Sequence, residues 1–299
     1  LWKSCVVKTP FCGNAFRPTC NCGVLNVRKH NWTTLPDAIQ EMNALKVMQI
    51  NHGPLEVIPD GFDTTFSKVS VLDLSYNVLT EVPESLGNLR INKLQLANNK
   101  LNELPDGVWG NDYATYLELD NNNIVKVESS IRSAKSLMLL FMSNNSLLDL
   151  PTELFKLNLV TLYVDGNRIS NISEDIGQIS NLRNLKLNNN KNIASVPTTI
   201  EKLVKLTDVD LRNNTIKSLP KEIAKLKTTL KYVYLHHNPI CTNGWLDTNV
   251  GIQEMIESSP GAGCTAQCSM YCQDRVLGND YCGRECNFEG CKFDNGDCL

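Results

Sequence analysis

Twelve cysteines and a short run of acids are the residues most able to do chemistry in this chain. The cysteines fall at Cys5, Cys12, Cys20 and Cys22, then Cys241 and Cys264, then Cys268, Cys272, Cys282, Cys286, Cys291 and Cys298, with none between Cys22 and Cys241. They crowd into small terminal segments with little apolar mass, in groups of even number. That is the pattern of disulfide staples made in an oxidising compartment. Sequons at Asn31-Trp32-Thr33, Asn144-Asn145-Ser146, Asn171-Ile172-Ser173 and Asn213-Asn214-Thr215 fit the same compartment, offering N-glycosylation at Asn31, Asn144, Asn171 and Asn213. Among the last six cysteines stand Gly278-Asn279-Asp280 and Phe293-Asp294-Asn295-Gly296-Asp297. Oxygen-bearing side chains on a tight, cross-linked turn suit a hard cation such as Ca²⁺, which takes about 6–8 oxygens. Two competing readings are weaker. The paired C-x3-C spacings of Cys268/Cys272 and Cys282/Cys286 offer a zinc tetrathiolate, which the spacing and the sequons oppose. Asp294 and Asp297 alone serve equally as turn formers. His236-His237 is no metal site, because adjacent strand residues face opposite ways; a solvated strand end is expected there.

The elements that position these residues are repeats. Ile58-Pro59, Val82-Pro83, Leu104-Pro105, Leu150-Pro151, Val196-Pro197 and Leu219-Pro220 mark one recurring point, with Leu35-Pro36 before it and Val127-Glu128 and Ile172-Ser173 in the gaps, every 22 to 24 residues. Upstream of each point runs L-x-x-L-x-L-x-x-N-x-L, as in Ile91, Leu94, Leu96, Asn99, Leu101. Leu-x-Leu is a short strand with one apolar face. The asparagine column Asn77, Asn99, Asn122, Asn145, Asn167, Asn190, Asn214 and Asn238 turns the chain inward, its amides satisfying buried backbone groups. About ten strands are expected, centred near Asn26, Gln49, Asp73, Gln95, Glu118, Phe141, Tyr163, Lys186, Asp210 and Tyr234, each followed by a short helical return such as Lys221–Leu226. Two departures stand out. Gly53 occupies an asparagine position, and Asn190-Lys191-Asn192-Ile193 carries one extra residue.

This pattern resembles the leucine-rich repeat family in its 23-residue L-P-x-x-I-x-x-L variety, over about residues 23–245. The resemblance implies an α/β repeat fold, a curved solenoid of parallel strands with short convex helices. A solenoid leaves its end layers open and needs caps. Residues 1–22 read as an N-terminal disulfide cap, 23–240 as the repeats and 241–264 as a C-terminal cap, where Asn238-Pro239-Ile240-Cys241 resembles the family's Asn-Pro-x-x-Cys opening and Cys264 is the expected partner of Cys241. The four N-terminal cysteines allow three connectivities; Cys5–Cys20 with Cys12–Cys22 is preferred. Residues 265–299, ending F-D-N-G-D-C, resemble the Lin-12/Notch repeat, a small calcium-binding, three-disulfide module. That resemblance implies Cys268–Cys291, Cys272–Cys286 and Cys282–Cys298, with Ca²⁺ held by Asn279, Asp294, Asp297 and a backbone oxygen near Tyr281.

Residues between the framework leucines face the concave side. Tyr116, Leu139, Phe141 and Tyr163, with acids Glu118, Asp120 and Asp165, form a candidate ligand-binding patch, and Tyr232 and Tyr234 a second group. Aromatics displayed on a rigid sheet make plausible hot spots.

The formal net charge of −3 gives no polybasic field for nucleic acid or anionic membrane. No window reaches the roughly 18 apolar residues of a membrane span. The absence of a basic n-region and apolar h-region at Leu1 suggests a secretion signal removed or not included. No G-x-S-x-G, P-loop, H-E-x-x-H or dinucleotide glycine run occurs, so the chain is not read as an enzyme. The reading is an extracellular recognition module for a protein or peptide, as a receptor ectodomain with a membrane segment beyond residue 299. Its pairing of modules resembles that in receptor-like proteins of oomycetes. A secreted inhibitor of a foreign enzyme and a structural or adhesion protein of wall or matrix are the alternatives.

Overall fold

Each Leu-x-Leu supplies two buried leucines around one residue that faces outward, as Leu94 and Leu96 do around Gln95, so each strand lasts only about as long as that alternation. In the computed structural model, which describes residues 23–40, 42–243, 252, 253, 256 and 264, ten such strands run in sequence order. The expected N-terminal cap (residues 1–22) and the six-cysteine segment (265–299, with Asn279, Tyr281, Asp294 and Asp297) lie outside the described residues. The chain forms two units, one ending at Arg168 and one starting at Ile169.

The first unit holds β1 (Val24–Arg28), β2 (Val47–Asn51), β3 (Val71–Asp73), β4 (Lys93–Gln95), β5 (Tyr116–Glu118), β6 (Leu139–Phe141) and β7 (Thr161–Tyr163). All pair in parallel with their sequence neighbours, in a register that aligns Gln95, Glu118, Phe141 and Tyr163 in one column and Lys93, Tyr116, Leu139 and Thr161 in another. Leu94, Leu117 and Leu140 point inward and are buried. The coils at Phe62–Phe66, Trp109 and Phe155 fill their interior with rings, Phe62 and Phe66 packing at 4.7 Å.

The asparagine column does what its chemistry requires. Asn99 donates through Nδ2 to the carbonyls of Leu74 and Leu96 at 3.0 Å, and its Oδ1 accepts from the Leu79 N–H at 3.0 Å. Asn122 repeats this with Leu96, Leu119 and Leu101. Each amide thus serves its own coil and the preceding one. Left unpaired, such buried groups would cost about 1–3 kcal/mol each. The residue before each ladder asparagine is left-handed, with Tyr76, Asn98, Asn121 and Asn144 at φ 56–57°. Asparagine tolerates that region better than most residues, which explains the Asn-Asn pairs.

The returns are tight. Pro83 and Pro105 precede helical turns with φ −69° and −60°, angles that proline presets. Asp37–Gln40, Phe62–Thr65 and Asp106–Trp109 are single α turns, while Glu84–Asn88, Ser129–Ser133 and Leu154–Lys156 are 3₁₀. A repeat of 22–24 residues leaves room for little more.

The second unit has β8 (Asn184–Lys186), β9 (Asp208–Asp210) and β10 (Tyr232–Tyr234), with β8–β9 and β9–β10 parallel. Its 3₁₀ returns are Glu174–Gln178, Thr198–Lys202 and Lys221–Leu226. The Ser173 hydroxyl caps the first of these, accepting from the Asp175 N–H at 3.1 Å. Cys241, closing the Pro239–Cys241 turn, is bonded to Cys264 with their Cα atoms 5.3 Å apart. Each unit is a stack of leucine-rich-repeat coils.

Candidate functional site

What the strands present outward is a row of side chains on a sheet. On the first unit, β5, β6 and β7 bring Tyr116, Glu118, Leu139, Phe141 and Tyr163 to the outer face, all half-buried. The loops after β5 and β7 add Asp120 and Asp165. Phe141 is the middle ring of three. It lies 5.2 Å from Tyr116 in a tilted arrangement and 5.2 Å from Tyr163 edge-on. Aromatic pairs prefer such geometry, worth about 0.5–1.5 kcal/mol beyond the area they bury.

Polar bonds fix the acids around these rings. Glu118 Oε2 accepts from the Tyr116 hydroxyl at 2.8 Å and from the Gln95 amide at 2.7 Å. The Asp120 carboxylate accepts from the Ser143 N–H at 2.6 Å, and Asp165 accepts from the Ser143 hydroxyl at 2.6 Å. One serine therefore links two carboxylates that belong to different coils. The Lys93 ammonium sits 4.5 Å from the Tyr116 ring centre. Neither the Ser143 link nor the Lys93 contact was foreseen from sequence. The only signal for them was membership of the same columns.

The electrostatics follow from this crowding. Burial pushes the Asp120 carboxyl up to about 6, and Glu118 and Asp165 push the same way, against the pull of the Ser143 N–H. Burial raises the Tyr116 phenol, reinforced by the hydrogen bond and the charge of Glu118. Asp73, a strand centre that alternation sends outward, is buried. It accepts from the Asn51 amide at 2.8 Å and the Ser75 N–H at 3.0 Å.

On the second unit, Tyr232 and Tyr234 stack with centroids 6.4 Å apart and planes 4° from parallel. Tyr234 corrects the expectation of an exposed aromatic, because it is only 6 % exposed. The Arg212 guanidinium lies over its ring at 5.4 Å and is itself held by both oxygens of Asp210. His236 corrects the expected solvated strand end. It is buried, and burial, with the nearby Arg212 and His237, lowers its imidazole to about 4. His237 takes the left-handed position, φ 59°.

Among the sequons, Asn31, Asn144 and Asn171 are exposed and Asn213 is half-buried. The Asn144 amide donates to Asn121 at 3.1 Å and the Asn213 amide to Asn189 at 2.7 Å, so both belong to a second, outer row of asparagines. Among the described residues, no group of three or more His, Cys, Asp or Glu is placed to hold a metal ion. Nor, among them, is any helix long and apolar enough to cross a membrane.

Comparison with known proteins agrees with this geometry. The leucine rich repeat family model matches residues 43–101 and the LNR domain model matches residues 263–299. Bovine keratocan is 28 % identical over 237 residues, covering 76 % of this chain and 63 % of keratocan. Lumican of Rattus norvegicus is 31 % identical over 215 residues, covering 68 % of this chain and 60 % of lumican. The chain thus spans about three fifths of the length of the curated relatives it matches. Among solved structures, a leucine-rich repeat protein of Leptospira interrogans superposes with TM-score 0.73 at 28 % identity, covering 79 % of this chain and 59 % of that one. A plant peptide hormone receptor in complex with RGF2 gives TM-score 0.54 at 25 % identity, covering 69 % and 38 %. With its asparagine ladder and short parallel strands, the chain has the leucine-rich-repeat fold, and it carries at residues 263–299 a segment that matches the LNR domain.

Proposed function

We propose that this chain is an extracellular recognition module, part of a receptor ectodomain, and that it binds a protein or peptide on the outer strand face of its first unit. The observation that carries the reading is the row Tyr116–Phe141–Tyr163, three half-buried rings fixed on strands whose backbones are held by the asparagine ladder. Rigid aromatic anchors contribute most to protein interfaces, because little entropy is lost in ordering them. The plant peptide hormone receptor in complex with RGF2, among the structural neighbours, supports the same use of the fold. The Cys241–Cys264 bond and the exposed sequons support an oxidising, extracellular setting.

The LNR-type segment supports a structural Ca²⁺ site. Its proposed donors, Asn279, Asp294, Asp297 and the backbone oxygen of Tyr281, are all oxygen, which suits a hard cation. Bound there, the ion would cross-link a segment too poor in apolar residues to hold itself. If chelation leaves the protease resistance of residues 265–299 unchanged, the ion site is wrong.

The binding face is tested by capturing partners from extracellular material with the full chain, then measuring each against Phe141→Ala and Tyr163→Ala. Loss of about 2 kcal/mol in either variant is expected of a hot spot. Equal affinity of wild type and both variants would dismiss the patch.

A further inference from the structure

Two acids of the Phe141 face, Glu118 and Asp120, accept from neutral donors: the Tyr116 hydroxyl, the Gln95 amide and the Ser143 N–H. Among the described residues, neither Glu118 nor Asp120 is in an ion pair. Lys93, beside them on β4, has its ammonium over the Tyr116 ring. The face therefore gathers negative charge that its own hydrogen bonds orient but do not neutralise. It does so around rings whose faces attract cations. The molecule repeats this pairing elsewhere, with Arg90 over Tyr113 at 5.1 Å and Arg212 over Tyr234 at 5.4 Å.

Resting on the reading of this face as the recognition surface, we propose that the segment it takes is an extended, arginine-bearing peptide, with a guanidinium laid on the Phe141–Tyr163 rings and bonded to Glu118 and Asp120. Charge complementarity selects a cation over an acidic partner, since a like charge here would meet Glu118 and Asp120 together. Planarity selects arginine over lysine. A guanidinium stacks on a ring while donating two parallel hydrogen bonds to a carboxylate, whereas an ammonium is a compact point charge with a tightly bound water shell. An extended backbone, rising about 3.3 Å per residue, spans the three strands that carry the rings within a few residues.

The test uses two fluorescent hexapeptides of alternating arginine and leucine, one of them with citrulline in place of every arginine. Citrulline keeps the shape and removes the charge. Anisotropy titration of the full chain at neutral pH and physiological salt is expected to show the arginine peptide binding about tenfold tighter than its citrulline twin. Glu118→Gln, a conservative change at a half-buried position, should erase most of that preference. Phe141→Ala should weaken both peptides. Equal affinity for the two peptides, or an arginine preference untouched by Glu118→Gln, overturns the arginine inference. Absence of binding by the arginine peptide overturns it as well. The recognition face itself falls only if captured partners ignore Phe141→Ala and Tyr163→Ala, so the two failures are distinguishable.

Discussion

A Cβ added to Gly53 would overlap the imidazole ring of His30, which occupies the space where the ladder amide of the second coil should lie. In later coils the amide of the next asparagine accepts from the N–H two residues past the ladder position, as Asn77 does from Leu55 at 3.2 Å. Here the equivalent N–H, that of Trp32, donates to His30 Nδ1 at 3.2 Å. A histidine on one coil thus replaces an asparagine missing from the next.

Gly53→Asn alone is therefore expected to destabilise by about 1–3 kcal/mol through overpacking, even though it restores the family pattern. The double variant His30→Asn/Gly53→Asn should recover most of that loss, and urea unfolding of the single and double variants measures the coupling. The wild-type arrangement is also acid-sensitive. Burial holds the His30 imidazole below its ordinary 6.5, so the unfolded chain binds the proton more readily. The stability tied to this site is present above pH 6.5 and declines as pH falls below it. The double variant should lack that component, which a melting series across mildly acidic pH would show.

The extra residue near Lys191 has a definite cost. Lys191 takes a second left-handed conformation, φ 65°, straight after Asn190. Asn214, whose Oδ1 should accept from the displaced N–H, is buried with that oxygen unpaired among the described residues. By contrast, Asn190 accepts from the Ile169 N–H at 2.9 Å and Asn238 from the Ile216 N–H at 3.0 Å. Deleting Lys191 should restore the missing bond and stabilise the protein by about 1 kcal/mol, visible as a raised denaturant midpoint. A lowered midpoint would refute the assignment.

Asp120 is expected to weaken the fold when it ionises. Its carboxyl is raised from 3.8 to about 6, so the folded state holds the proton more tightly than the unfolded state. Stability therefore falls as pH rises through that window. Asp120→Asn keeps an oxygen for the Ser143 N–H and removes the charge. It should be more stable than wild type by about 1–2 kcal/mol at neutral pH, with the advantage vanishing below about pH 4. Such strain in an acid proposed for binding fits the usual opposition between stability and function.

Replacing Cys241 and Cys264 by serine opens a covalent loop with a sequence separation of 23. Loop-closure entropy assigns that bond roughly 3 kcal/mol. The variant should melt earlier than wild type, and reductant should lower the wild-type melting point toward it.

The coils were legible because the leucine and asparagine columns recur at fixed spacing, and one surviving copy such as Ile91–Leu101 indexes the others. The ring row was legible for the same reason, since strand alternation alone sends Tyr116, Phe141 and Tyr163 to one face. Alternation names the face but not what lies over it, so the burial of Tyr234 beneath Arg212 was out of reach. His30 was hidden because it substitutes for a residue 23 positions away. The Ser143 bridge was hidden because Asp120 and Asp165 meet only after two coils have stacked.

Each ladder amide bonds its own coil and the one before it, as Asn99 and Asn122 do. Removing one complete period from the first unit would bring like surfaces together and let every amide find an equivalent carbonyl. Removing a few residues would leave amides facing nothing. Duplication or loss of entire coils is the change this chain should tolerate in its history. That route lengthens or shortens the strand face, and with it the span of partner it covers, without redesigning any single turn.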